Sequence, residues 1–252
     1  MLSLIVALAA LRTRTLSTNG AVAGAVVGTI CMAAGWSWGA LLFSLFISAS
    51  ALSKVGEARK LMRVETVVEK GGERDAAQVL ANGGVFVVAA LGHLAAPSPV
   101  WLAIGAGAIA ASTADTWATE VGTLVAHEPV SILSGRRVPA GTSGGLTVAG
   151  TLAGAAGAMF IAAEATLANW PVSFAAVAVG GVAGALTDSL LGASVQARRW
   201  CEACSVFTER LVHICGNRTR HAGGVRGFDN DVVNAVCSAV GALVALALSR
   251  MA

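Results

Sequence analysis

Apolar residues fill eight blocks of this chain, roughly 2–16, 19–35, 37–54, 76–95, 99–118, 146–167, 172–193 and 231–250, and the polar residues gather between them. Each block is close to the ~20 residues a helix needs to cross a bilayer. The pattern predicts an all-α, polytopic integral membrane protein of about seven or eight transmembrane helices with long loops on one side, built as a single membrane domain over 1–252. The first block is short and carries Arg12 and Arg14. Residues 2–10 also resemble the apolar core of a signal peptide. The basic residues follow that run instead of preceding it, and no small-residue cleavage site is evident, so the block is read as a helix.

The connections divide sharply by charge. Residues 54–75 carry Lys54, Arg59, Lys60, Arg63, Lys70 and Arg74. Residues 119–145 carry Arg136 and Arg137, and 194–229 carry Arg198, Arg199, Arg210, Arg218, Arg220 and Arg226. Together with Arg12 and Arg14 these are 16 of the 17 basic residues, all on one side of the predicted bundle. The positive-inside rule puts that side in the cytoplasm, in the cell (inner or plasma) membrane. Trp36, Trp38, Trp101 and Trp170 fall near the opposite connections, as an aromatic belt would. In 54–75, Val55, Leu61, Met62, Val67 and Val68 interleave with the charges, the pattern of a helix lying on the bilayer surface.

Composition sharpens the class. The chain is 56% hydrophobic and 12% charged, with mean hydropathy +0.73, whereas soluble domains carry about 25% charged residues. Its 30 glycines and many alanines suit membrane helices that approach closely.

Against this background the acids stand out. Asp115 lies in Ser112-Thr-Ala-Asp-Thr-Trp-Ala-Thr-Glu120, Asp188 in Ala185-Leu-Thr-Asp-Ser-Leu-Leu-Gly192, and Asp231 in Asp229-Asn-Asp-Val-Val-Asn234. An acid at membrane depth costs several kcal/mol and rarely persists without a partner or a task. The bland alternative is that each caps a helix or neutralises an Arg, a reading that suits Glu120 and Asp229 best. Carboxylates, amides and hydroxyls are hard oxygen ligands suited to Mg²⁺ with phosphate oxygens. Asp115 and Glu120 point about 140° apart on a continuous helix, so a shared site is expected to need a helix end near Thr119. Gly184, Asp188 and Gly192 share one stripe that Gln196 extends, and Asn230 and Asn234 stack one turn apart.

Other groups fit a phosphate site. Ala140-Gly-Thr-Ser-Gly-Gly-Leu146 precedes a helix, where free backbone N–H groups cradle anions. A plain flexible turn is the alternative. Gln78 and Asn82 form a polar stripe that needs partners within lipid. Lys54, followed by Gly56, Glu57 and Arg59, either holds a phosphate or snorkels to the headgroups. Cys201-Glu-Ala-Cys204 with His213-Ile-Cys215, in the loop 194–229, offers four soft ligands for a zinc-binding subregion. A reduced structural pair and redox catalysis also fit, but a disulfide is not expected in a reducing compartment. Cys31 and Cys237 read as core residues.

Taken together, Asn19-Gly20, Ser53-Lys54-Val-Gly56, Arg74 with Gln78-Val-Leu-Ala-Asn-Gly-Gly84, Ala114-Asp-Thr-Trp-Ala-Thr-Glu-Val-Gly122, Gly141-Thr-Ser-Gly-Gly145, Asp188-Ser-Leu-Leu-Gly-Ala193 and Asn230-Asp-Val-Val-Asn234 resemble the DUF92 family, in order along nearly the whole chain. That family includes the plant phytyl-phosphate kinase and the animal transmembrane protein 19. The resemblance implies a membrane prenyl-phosphate kinase, taking phytyl or geranylgeranyl monophosphate to the diphosphate with a nucleoside triphosphate, CTP favoured over ATP. The chain lacks a Walker-type phosphate loop, so other loops must bind the nucleotide.

On that reading Asp115, Asp188 and Asp231 hold Mg²⁺ and, with Lys54, form the catalytic group. Asn19, Arg59, Arg74, Asn82, Glu120, Thr142, Ser143, Gly144, Gly145, Ser189, Asn230 and Asn234 surround substrate and nucleotide, and Zn²⁺ is structural if bound. The expected partners are the lipid substrate, nucleotide and the membrane, with no nucleic acid; homo-oligomerisation is left open. Two rivals remain. An ion-coupled transporter would use the same acids for cations, although no internal repeat is evident. A lipid cytidylyltransferase would release pyrophosphate.

Overall fold

A computed structural model describes residues 1–64, 67, 72–125 and 127–251; Val68 and Lys70 lie outside them. Among the described residues the helices are α1 (Leu2–Arg12), α2 (Thr18–Ala34), α3 (Trp36–Lys54), α4 (Glu57–Val64), α5 (Ala76–Ala95), α6 (Pro99–Leu124), α7 (Val148–Leu167), α8 (Phe174–Ser194) and α9 (Asn230–Ser249). Every apolar block became a helix. Five of them, α3, α5, α7, α8 and α9, are long and apolar enough to cross a membrane, while α1 and α2 are shorter apolar helices. The protein is a mostly helical membrane bundle. Small sheets punctuate its loops: β1 (Val130–Ser131) pairs with β2 (Gly145–Leu146), and β3 (Arg198–Cys201) lies between β4 (Val206–Thr208) and β5 (Arg220–Gly223).

The central helix is α6, whose residues from Gly105 to Ala114 are all buried. It packs against α5, α7, α8, α9 and α3. Small residues allow this. A Cβ on Gly184 of α8 would stand 2.7 Å from the carbonyl oxygen of Cys237 on α9, and one on Gly241 of α9 would stand 2.6 Å from that of Gly107 on α6. One on Gly154 of α7 would meet the Ala114 carbonyl at 3.0 Å. The backbones of α6, α7, α8 and α9 are therefore in direct contact, the packing mode that membrane helices use in place of a hydrophobic drive. Cys31 and Cys237 are buried, as core residues should be.

Three expectations need correction. First, α6 does not end near Thr119 but runs unbroken to Leu124. Gly122 lies within the helix, and a Cβ there would stand 3.1 Å from Thr147 Oγ1 at the start of α7, a tight approach that favours glycine. Second, only Trp36 of the four expected belt residues is strongly exposed, at 75%. Trp38 and Trp170 meet in a tilted contact with ring centroids 4.7 Å apart and are buried, and the Trp170 Nε1–H donates to Ser37 Oγ at 3.0 Å. Burial of these large rings seals that end of an otherwise small-residue bundle. Third, α4 is helical, as expected for a surface element, but its Lys60 turns inward and is buried. That helix covers the bundle end as well as skirting it.

Candidate functional site

The basic end of the bundle opens into a cavity of about 560 Å³. It is lined by residues from α3, α4, α5, α6, α7, α8, α9 and three of the long loops. Asp115, Asp188 and Asp231 all reach it, each from a different helix, brought together by the glycine contacts among α6, α8 and α9. The Asp115 and Asp188 carboxyl groups lie within hydrogen-bonding reach of each other. Oδ2 of Asp188 is buried with no hydrogen-bond partner among the described residues. Two carboxyl groups in contact, with a buried oxygen left over, form a donor set that a hard cation would complete. These observations fit Mg²⁺. Asn230 and Asn234 join on α9, and Ser189 on α8. Asp229 is the N-cap of α9, accepting from Val232 N at 3.1 Å, so the capping alternative holds for that acid.

Across the cavity a second constellation surrounds Arg74. Its backbone is fixed by the turn between α1 and α2: Ser17 N donates to Arg74 O at 3.0 Å, and Arg74 N donates to Thr15 O at 3.0 Å. Gly20 lies so close to the Arg74 carbonyl that any Cβ would collide with it. The guanidinium reaches Ser50 Oγ at 3.2 Å and Ser53 Oγ at 3.1 Å. Burial lowers the Arg74 guanidinium from its usual value, and the Glu120 charge opposes that shift. Gln78 and Asn82, the stripe that needed partners, have them. Gln78 closes a capping box with Asp75, and Asn82 Nδ2 donates to Gln78 O at 3.0 Å. A smaller apolar pocket of about 100 Å³ between α1, α2, α3 and α5 shares Arg74, Gln78 and Asn82 with the main cavity.

Not every expected residue arrives. Asn19 and Arg59 are exposed and do not line the cavity. Asn19 instead accepts from Ser17 Oγ at 2.5 Å, in the first turn of α2. Lys54 lines the cavity but is exposed at its rim. Glu120 lines it too, but its oxygens are taken: Oε1 by Ser53 Oγ at 2.5 Å and Oε2 by Lys60 Nζ at 2.5 Å. Lys60 also donates to Leu52 O at 2.7 Å, tying α4 to the end of α3. Glu120 is therefore an anchor for cations and not a free ligand. Lys60, not Lys54, is the lysine drawn inside.

The glycine-rich segment is a pinned hairpin, not a loose turn. Thr142, Ser143, Gly144 and Gly145 line the cavity, and Gly145 belongs to β2. Gly144 takes φ +77°, and a Cβ there would stand 2.5 Å from Ser189 O and 2.8 Å from Ala193 N. Only glycine satisfies both demands. Thr147 caps α7 by accepting from Gly150 N at 3.0 Å. Ser143 Oγ donates to Glu209, a residue the sequence reading passed over, in a short hydrogen bond. Gln196 Nε2 donates to the same Glu209 oxygen at 2.9 Å. Glu209 and Arg210 both line the cavity.

The Cys/His cluster forms as expected. Cys201, Cys204, His213 and Cys215 place one ligand atom each within 4.8 Å of all the others. Sγ of Cys201 and Cys215 are 3.7 Å apart, and His213 Nδ1 is 3.2 Å from Cys215 Sγ. Hydrogen bonds from Asn217, then His213, bring the Cys215 thiol down to about 6, while the bond with Cys215 drives Cys204 up to about 11.

Comparison with known proteins settles the family. The chain matches the family described as integral membrane protein DUF92 over residues 1–242. It belongs to that family. Protein PGR of Arabidopsis thaliana is 33% identical over 267 residues, covering 94% of this chain and 90% of that protein. A Methanocaldococcus jannaschii membrane protein is 34% identical over 193 residues, covering 75% of this chain and 78% of the relative. A membrane protein of Synechocystis is 30% identical over 207 residues, with 79% of each chain covered. No solved structure matches this DUF92 chain.

Proposed function

We propose that this DUF92 protein is a prenyl-phosphate kinase whose site is the basic-end cavity, facing the cytoplasm. The observation that carries the reading is the meeting of Asp115, Asp188 and Asp231 from three helices opposite Arg74 in one cavity of about 560 Å³. That volume lies within the ~300–1,000 Å³ of small-molecule sites. Phosphoryl transfer needs positioning and charge neutralisation more than covalent chemistry from the protein. Asp115, Asp188 and Asp231 would hold Mg²⁺, which neutralises triphosphate oxygens when bound. The pinned Thr142–Gly145 hairpin lines the nucleotide side, and Lys54 meets phosphate at the rim. Arg74 neutralises the monophosphate of the lipid.

The acceptor phosphate oxygen attacks the γ-phosphorus, and the bond to the departing nucleoside diphosphate breaks. The acceptor is already an anion, so no general base is required. The apolar pocket beside Arg74, Gln78 and Asn82 supports a lipid acceptor: at about 100 Å³ it takes only the carbons next to the headgroup, which leaves the phosphate at the guanidinium and the rest of the tail outside the pocket.

Labelled nucleotide tests the reading. Label at the γ-phosphate should pass into the lipid fraction with purified protein, Mg²⁺ and phytyl or geranylgeranyl monophosphate. Label at the α-phosphate passing instead would make the protein a cytidylyltransferase. Transfer of neither, with nucleotide-free accumulation in vesicles, would make it a carrier.

A further inference from the structure

The Cys/His cluster is joined to the cavity by the chain between its halves. Cys201 ends β3, Cys204 sits in the turn between β3 and β4, and His213 and Cys215 lie in the next turn, where His213 N donates to Asn217 O at 2.9 Å. Glu209 and Arg210 lie midway between Cys204 and His213, and both line the cavity. Two thiolates bound tetrahedrally to one zinc at ~2.3 Å stand ~3.8 Å apart, and the Cys201–Cys215 separation is 3.7 Å. The spacing already matches a closed four-ligand site. Hydrogen bonding from Arg199 to Thr219 (2.7 Å to Oγ1, 2.6 Å to O) and from Thr219 Oγ1 to Arg210 O (2.5 Å) knits the same turn to the sheet.

We propose that Cys201, Cys204, His213 and Cys215 bind one Zn²⁺ that locks the intervening turn against the cavity, so that Glu209 fixes Ser143 and the glycine-rich hairpin. Glu209 is the link: its Oε1 accepts from Ser143 on the hairpin and from Gln196 beyond the end of α8. Its backbone N–H is held by Val67 O at 2.8 Å. A metal that closes the turn removes the freedom that would let this carboxylate leave. Glu209 is thus a positioning residue for the hairpin. That the hairpin serves phosphate binding rests on the kinase reading; that zinc orders it does not.

The test uses the full chain purified in detergent. Elemental analysis should find one zinc per chain, lost in Cys204→Ser and on treatment with a strong zinc chelator that spares Mg²⁺. Hydrogen exchange should then rise ~10-fold or more in peptides covering 206–213 and 141–145, and Zn²⁺, not Mg²⁺, should restore protection. Glu209→Ala should keep zinc and the protection of 206–213 but lose it at 141–145. Protein that neither carries nor takes up zinc would overturn the proposal. So would chelation that removes zinc and leaves exchange at 141–145 unchanged. Neither readout needs nucleotide or turnover, so a failed kinase assay with these results intact would sink the function alone.

Discussion

The Lys60–Glu120 pair gives the sharpest stability prediction. The two charges are 2.5 Å apart, with side chains 9% and 19% exposed, and at an effective dielectric of ~20 their gross attraction is about 7 kcal/mol. Desolvation consumes much of that, but removing one partner strands the other, at a cost of ~3–5 kcal/mol for a fully buried pair. Here Glu120 retains the Ser53 hydrogen bond and the Arg74 charge, so Lys60→Met should cost at the lower end, ~3 kcal/mol. Glu120→Gln should cost less, because Lys60 keeps its bond to Leu52 O. The double variant should be more stable than the summed single losses imply, with a coupling of ~1–3 kcal/mol. Reversible denaturant unfolding in detergent measures all four proteins. Ser53 joins Glu120 to Arg74, so on the proposed kinase reading Lys60→Met should also raise the KM for lipid phosphate. Additive losses, or an unchanged Lys60→Met, would refute the reasoning.

Other outcomes follow from the same geometry. Asp188→Asn should abolish turnover while leaving the unfolding free energy within ~1 kcal/mol of the wild type, checked by activity and denaturation in parallel; retained activity removes Asp188 from the cation site. Gly184→Ala forces a Cβ to 2.7 Å from Cys237 O, so α8 and α9 must separate. It should cost ~1–3 kcal/mol and lower kcat, since Asp188 lies one turn away. Arg74→Gln should raise the KM for the prenyl monophosphate ~10-fold or more with a smaller change for the nucleotide, as steady-state kinetics with each substrate varied would reveal.

Much of this was legible in the amino-acid order. Long apolar blocks dictate helices because lipid leaves the backbone no other way to satisfy its hydrogen bonds. Asp115, Asp188 and Asp231 announced themselves by their cost. The cysteine spacing foretold the cluster. What was hidden depends on contacts between distant segments. Whether α6 continues past Thr119 is decided by Gly150 and Gly154 of α7, which pack against the Ala118 and Ala114 carbonyls. Lys60 reads as an ordinary surface charge until α4 folds over the cavity. Glu209 sits in a loop without apolar periodicity, and only the folding of the Cys/His turn aims it at Ser143. Asn19 entered through the Asn19-Gly20 piece of the family resemblance, in which the structural constraint falls on Gly20 and its close approach to Arg74.

We propose that this cavity transfers a phosphoryl group to a prenyl monophosphate. The most direct measurement incubates detergent-purified protein and Mg²⁺ with CTP, ATP, GTP or UTP and phytyl or geranylgeranyl monophosphate, following products by mass spectrometry. A prenyl diphosphate formed with one nucleoside diphosphate per turnover is the predicted result. Folded protein that yields no prenyl diphosphate with any pair would contradict it.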